Sequence, residues 1–188
     1  RWRGAERVTP TREKGSTRMP DDRLPEDFAE ALRQFTDTLA AATDPEAAYD
    51  ALCALTKATV GAKLFTVMTV DMAAMLACRT YTDDPENYPT SGTKPIEMND
   101  WFEIVHGQHR SFVANTLEDI DQVFPDAELI GALGCGSVIN LPVLIGGELA
   151  ATINILHEPG YYTEARVEAA KALLTLPSMA TLAFARQL

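Results

Sequence analysis

Apolar residues recur along the chain with two different periods. Phe28, Leu32, Phe35 and Leu39 stand at i, i+4, i+7 and i+11, one stripe of a helix. Pro25, Glu26 and Asp27 ahead of them suit a first turn, with a fixed φ and then negative charge at the positive end of the helix dipole. Asp44 and Pro45 repeat the start signal as N-cap and first helical residue. Ala48, Leu52, Leu55 and Thr59 then share a face, and Gly61 offers a left-handed stop. Two helices are predicted, at about 25–41 and 45–60.

Residues 62–70 and 76–81 are rich in β-branched and aromatic side chains and read as strands. Residues 83–92, with Pro85, Asn87, Pro89, Ser91 and Gly92, read as a loop. Trp101, Phe102 and Val105 suggest a short helix capped by Asn99 or Asp100 and stopped at Gly107. Residues 111–114 form a short strand, and 117–133 are helical or turn-like, broken at Pro125 and Gly131. Two strand runs follow at 137–145 and 148–157, joined by Gly146 and Gly147. A Gly-Gly pair tolerates the positive φ values of a tight hairpin turn. Pro142, inside the first run, needs a bulge or an edge for its missing N–H. Thr163 caps a last helix carrying Val167, Ala170, Leu173, Leu176 and Ala180, which Pro177 should bend.

Strands flanked by helices predict an α+β fold around an antiparallel sheet, with the terminal helices on one face. The middle segment must then cover the other face, where short elements and loops leave cavities. On the second hairpin strand Leu149, Ala151, Ile153 and Ile155 share the apolar face expected to meet the helices. Thr152 and Asn154 look the other way, and Asn140 is placed with them. Buried amides must find partners, either backbone of the capping loops or a ligand. Trp101, Phe102, Phe65 and Tyr81 are candidates to wall such a cavity; for Phe65, ordinary core is the stronger expectation.

Composition narrows the class of partner. The 188 residues are 46% apolar and 23% charged, with a net charge of −11 that argues against a nucleic-acid backbone. No uninterrupted apolar run has the length of a membrane span, and no signal peptide opens the chain. Three cysteines without a CxxC fit a reducing, cytoplasmic setting. Charge is uneven. Residues 1–20 hold six basic and two acidic side chains, +4, leaving ten basic against 25 acidic, −15, for the remainder. Residues 1–24 therefore read as a basic tail, either solvated or lying on the acidic body, and 25–188 as a single domain.

Candidate chemistry is sparse. Cys135, between Gly134 and Gly136 at a strand entry, is either a nucleophile near a loop or a small packed apolar group. Cys53 and Cys78 read as core. His106 and His109 stand at i, i+3, but Gly107 separates them and no third ligand completes a metal site. His157 reads as a strand-end surface residue.

The run 134–157, GCGSVINLPVLIGGELAATINILH, resembles the GAF domain family: a small residue, an apolar strand with Leu-Pro-Val, a glycine turn, then a strand carrying asparagine. Phe112 to Asn115, followed by an acidic helical stretch with Asp119, resembles the segment before that hairpin. The resemblance covers roughly residues 25–188. It implies a GAF-like, PAS-related sheet of order near 2-1-5-4-3, with a small-molecule pocket opposite the terminal helices. It also implies a stand-alone sensory module that acts through homodimerisation by those helices or through a partner protein. The ligand-binding residues it suggests are Tyr81, Trp101, Phe102, Asn115, Cys135, Ser137, Asn140, Thr152 and Asn154. The cofactor stays unknown: Asn115 is followed by Thr116, not the lysine of cyclic-nucleotide binders, and no cysteine precedes a histidine as in bilin binders. The family's reductase of free methionine sulfoxide places a cysteine where this chain has Gly131, so a thiol oxidoreductase would have to use Cys135. A pure interaction module with a self-filled pocket is the third possibility.

Overall fold

A computed structural model describes residues 28–90 and 92–187; the basic segment 1–24 lies outside them. Helices α1 (Phe28–Ala41) and α2 (Pro45–Thr59) form where the apolar stripes place them. Pro45 opens α2, and the Asp44 side chain accepts the Ala47 N–H at 2.9 Å. Gly61, at φ +89°, turns the chain out of the helix. The last helix, α6 (Glu164–Ala185), is capped by Thr163 and continues through Pro177 as one element. Proline has no N–H, so the Leu173 carbonyl lacks its helical donor. Among the described helices, α6 has the length and mean hydropathy, 1.2, of a membrane span; 44% of that window is buried inside the fold.

Six antiparallel strands lie in the order β3-β2-β1-β6-β5-β4. They are β1 (Leu64–Asp71), β2 (Leu76–Thr82), β3 (Lys94–Pro95), β4 (Phe112–Ala114), β5 (Ser137–Ile145) and β6 (Glu148–His157). Without the two-residue β3, this is the 2-1-5-4-3 order. Gly146 and Gly147 make the β5–β6 turn at φ +66° and +88°. β4 ends opposite Asn140, so the missing N–H of Pro142 removes no bond to β4.

Helices α2 and α6 bury one face of the sheet. Leu52, Leu55, Leu174 and Leu182 meet Phe65, Val67, Ile139, Ile153 and Ile155 there. α1 lies on α2 and buries Phe35, at 6% exposed, in the same core. Phe28, Leu32 and Leu39 are partly buried against that core, and Ala29, Ala40 and Ala41 are exposed.

The opposite face is covered by short elements. α3 (Asp100–Phe102) runs into a π-helical turn (Glu103–Gly107), followed later by α4 (Leu117–Asp121) and α5 (Ala127–Ala132). Gly131 lies inside α5 rather than breaking it, and the left-handed residue is Gly134, at φ +71°. Leu64, Tyr88, Ile120, Ile130, Cys135, Val138 and Leu156 form this second core.

Two bulges change which face a side chain meets. The β1–β2 register shifts between Val67 and Met68, leaving Thr80 as the extra residue. Regular alternation would put Tyr81 beside Arg79 on the covered face; the bulge turns it to the helices instead. There it packs on Tyr49 and Phe65, and its hydroxyl donates to Asp50 Oδ1 at 2.6 Å. The β5–β6 register shifts between Val143 and Leu144, leaving Ala150 extra. Leu149 therefore joins the cavity wall, not the helix face.

Candidate functional site

Between the covered face and its short elements lies a cavity of about 260 Å³. Its floor is a row set by strand register: Thr66 on β1 faces Asn154 on β6, which faces Asn140 on β5. The side chains bond across that row. Trp101 Nε1–H donates to Asn140 Oδ1 at 3.0 Å, Asn140 Nδ2 to Asn154 Oδ1 at 2.7 Å, and Asn154 Nδ2 to Thr66 Oγ1 at 3.1 Å. Each primary amide still has one N–H and one carbonyl lone pair to offer. Asn99 caps α3 by accepting the Phe102 N–H at 3.0 Å, which orients Trp101 over the floor. Trp101 in turn meets Phe124 edge-on, with ring centroids 6.2 Å apart. Met68, Val70, Ile96, Phe102, Ile120, Val138, Leu149 and Leu156 supply apolar wall.

A charged corner adjoins this floor. The Arg79 guanidinium lies 3.7 Å from the centroid of the Tyr88 ring. Its Nη1 donates to the Pro89 carbonyl at 2.8 Å, and its Nη2 is 3.7 Å from Asp126 Oδ2. The Tyr88 hydroxyl donates to that same carboxylate oxygen. Burial and the adjacent Asp126 charge push the Tyr88 phenol well above its ordinary range, so it stays a donor.

No protein-family profile and no curated protein matches the chain. Solved structures do match. A GAF domain from a phosphoenolpyruvate-protein phosphotransferase of Coxiella burnetii superposes with TM-score 0.63 at 17% identity, over 86% of this chain and 95% of that one. The fold is that of a GAF domain. The same GAF arrangement relates the chain to a free methionine-R-sulfoxide reductase of Neisseria meningitidis, with TM-score 0.59, 16% identity, and 85% and 90% of the two chains covered. It also relates it to an N-acylhomoserine lactone-dependent LuxR-family transcription factor of Burkholderia cenocepacia, with TM-score 0.63, 13% identity, and 87% and 97% covered.

Within this GAF fold the expected site residues separate into groups. Trp101, Phe102, Asn140 and Asn154 come together on the cavity. The two amides pair with each other, Trp101 and Thr66, rather than with capping-loop backbone. Thr152 lies two residues along β6 from Asn154, opposite Met68; it is fully buried and its hydroxyl makes no hydrogen bond to any described residue. Tyr81 and Phe65 are on the helix side. Asn115 holds the chain ahead of α6, donating to the Tyr162 carbonyl at 3.0 Å and accepting its N–H at 3.1 Å. Ser137 donates to the Glu158 carbonyl at 2.7 Å. Cys135 is 3% exposed, packed in the second core, and burial raises its thiol pKa. His106 packs on Phe102 with ring centroids 4.7 Å apart, and its ring centroid lies 6.4 Å from that of His109.

Arg79, Tyr88, Asp126 and Thr66 are among the cavity residues that sequence reasoning missed. For Arg79 a signal existed: a lone arginine shares strand parity with Ala77 on a sheet face expected to be covered.

Proposed function

We propose that this chain is a sensory, ligand-binding module that encloses a small, mostly apolar molecule between the sheet and the α3–α5 cap. The observation that carries this reading is the cavity of about 260 Å³ floored by a hydrogen-bonded row with unspent donors and acceptors. Pockets for drug-sized ligands span roughly 300–1,000 Å³, so the ligand is smaller than that class. A self-filled interaction module would have closed this space with its own side chains. Thiol chemistry at Cys135 is disfavoured because the sulfur is buried away from the cavity lining and its pKa is raised.

Native mass spectrometry of gently purified protein should show a bound species of low mass that denaturation releases. Ala77→Leu, which adds bulk to a buried cavity wall residue, should eliminate it while the circular dichroism spectrum is unchanged. A chain that stays ligand-free after exposure to a metabolite extract refutes the reading.

We also propose a homodimer through α6. Leu176 is 73% exposed and Met179 36%, an apolar strip one turn long on the outer side of this helix.

A further inference from the structure

The charged corner of the cavity leaves arginine donors unspent. Arg79 is only 12% exposed. Of the five N–H groups of an arginine, the only hydrogen bond described is that from Nη1 to Pro89. Nε is buried without a hydrogen-bond partner among the described residues. Nη2 looks to Asp126 from 3.7 Å, beyond hydrogen-bond reach, and that oxygen already accepts from Tyr88. The unspent Nε–H and Nη2–H form the parallel edge that matches the two oxygens of a carboxylate. The Tyr88 ring on the guanidinium face holds the group in place at the cavity wall. Asp126 already balances the guanidinium charge, so the distinction lies in geometry: a carboxylate can accept both unspent N–H groups at once, which a single hydroxyl cannot. The other charges on the lining, Lys94 and Glu97, are both exposed and of opposite sign, so neither decides the matter.

Resting on the reading of the cavity as a ligand site, we infer that its ligand is a small apolar carboxylic acid, with the carboxylate on the Nε/Nη2 edge of Arg79 and the apolar body along Met68, Phe102 and Val138. The amide floor would then serve any polar substituent further along the molecule.

The test compares hexanoate and 3-phenylpropanoate with the matched alcohols, 1-hexanol and 3-phenyl-1-propanol, by titration calorimetry on the full chain. Each pair shares its apolar body and differs at the anion. Wild type should bind at least one acid about tenfold or more tightly than its alcohol, since a charge-assisted hydrogen bond contributes that much. Arg79→Gln should erase the preference, and Arg79→Lys, which keeps the charge and loses the fork, should retain part of it. Alcohols that bind as well as acids would overturn the carboxylate assignment and leave the ligand-site reading standing. No binding of either class would overturn both. A preference that persists in Arg79→Gln would place the anion elsewhere and refute the role of Arg79. If Arg79→Gln does not fold, the wild-type acid–alcohol ratio and Arg79→Lys decide the question.

Discussion

The pairing of Asn140 with Asn154 can be isolated by a double-mutant cycle to leucine. Both residues are buried, at 4% and 8% exposed, and leucine is close in size to asparagine. Asn154→Leu removes the acceptor of the 2.7 Å bond and the donor to Thr66. It strands the Asn140 amide nitrogen, at about 1–3 kcal/mol, while the Thr66 hydroxyl can turn to another acceptor. Asn140→Leu strands the Asn154 carbonyl and deprives Trp101 Nε1 of its acceptor; Trp101 is half-buried and can reach water. Each single variant should therefore lose about 2 kcal/mol, or roughly 4–8 °C in Tm for a chain of this size. The double variant removes both ends of the central bond and leaves only Thr66 and Trp101 to find new partners. Its loss should be no larger than that of either single variant, far below the sum of about 4 kcal/mol, because replacing both partners with apolar groups is nearly neutral. The assay is urea unfolding followed by tryptophan fluorescence and circular dichroism, with m compared across all four proteins. Losses that add within about 0.5 kcal/mol would refute the reasoning, since uncoupled sites behave that way.

Three further outcomes are expected. Burial lowers the pKa of His157 below its ordinary 6.5, and its Nδ1 accepts the Glu158 N–H at 2.9 Å while the ring stacks on Tyr161 at 3.5 Å. The unfolded chain then binds the proton more readily, so this component of stability is present above pH 6.5 and is lost as pH falls below it. His157→Gln should remove that component from the urea-midpoint profile; superimposable slopes would contradict it. Gly61→Ala should cost more than Gly147→Ala. Both backbones are left-handed, at φ +89° and +88°, but only at Gly61 would a Cβ collide with the Tyr161 hydroxyl, whereas Gly147 faces open space. The backbone part is about 1–2 kcal/mol in each case, so equal melting shifts would dismiss the collision. Leu176→Glu should convert a dimer at micromolar concentration into a monomer with an unchanged Tm, read by sedimentation velocity. Phe35→Glu, in contrast, should unfold the chain, because Phe35 is part of the monomer core.

Much of the architecture was legible because it depends on local chemistry. Asp44, Asn99 and Thr163 cap helices through carboxylate, carboxamide and hydroxyl oxygens that accept first-turn N–H groups, and the Gly146–Gly147 pair makes the hairpin. The grouping of Asn140 and Asn154 followed from simple alternation along β5 and β6. Alternation fails where a single residue is added to a strand. The extra Thr80 carried Tyr81 to the helix side, and the extra Ala150 carried Leu149 into the cavity. Neither bulge has a glycine or proline at the inserted residue to betray it. The Arg79–Tyr88–Asp126 corner was illegible for another reason. Its members are brought together by a loop and by α5, across separations that no periodicity records.

The polar row on the sheet also bears on how the chain finds its pairing during folding. β1, β5 and β6 are otherwise nearly continuous apolar strands: Phe65, Val67, Ile139, Leu141, Ile153 and Ile155 would bury almost as well after a slip. A one-residue slip of β6 against β5 would thrust Asn154 into the helix-packed face, away from Asn140 and Thr66. A two-residue slip keeps every face but sets Asn140 opposite Thr152 or Leu156, breaking the amide pair at about 1–3 kcal/mol per stranded group. Greasy strands alone would tolerate several alignments. Two asparagines and a threonine in one line admit only one, so the row acts as a key to register as well as the floor of a cavity.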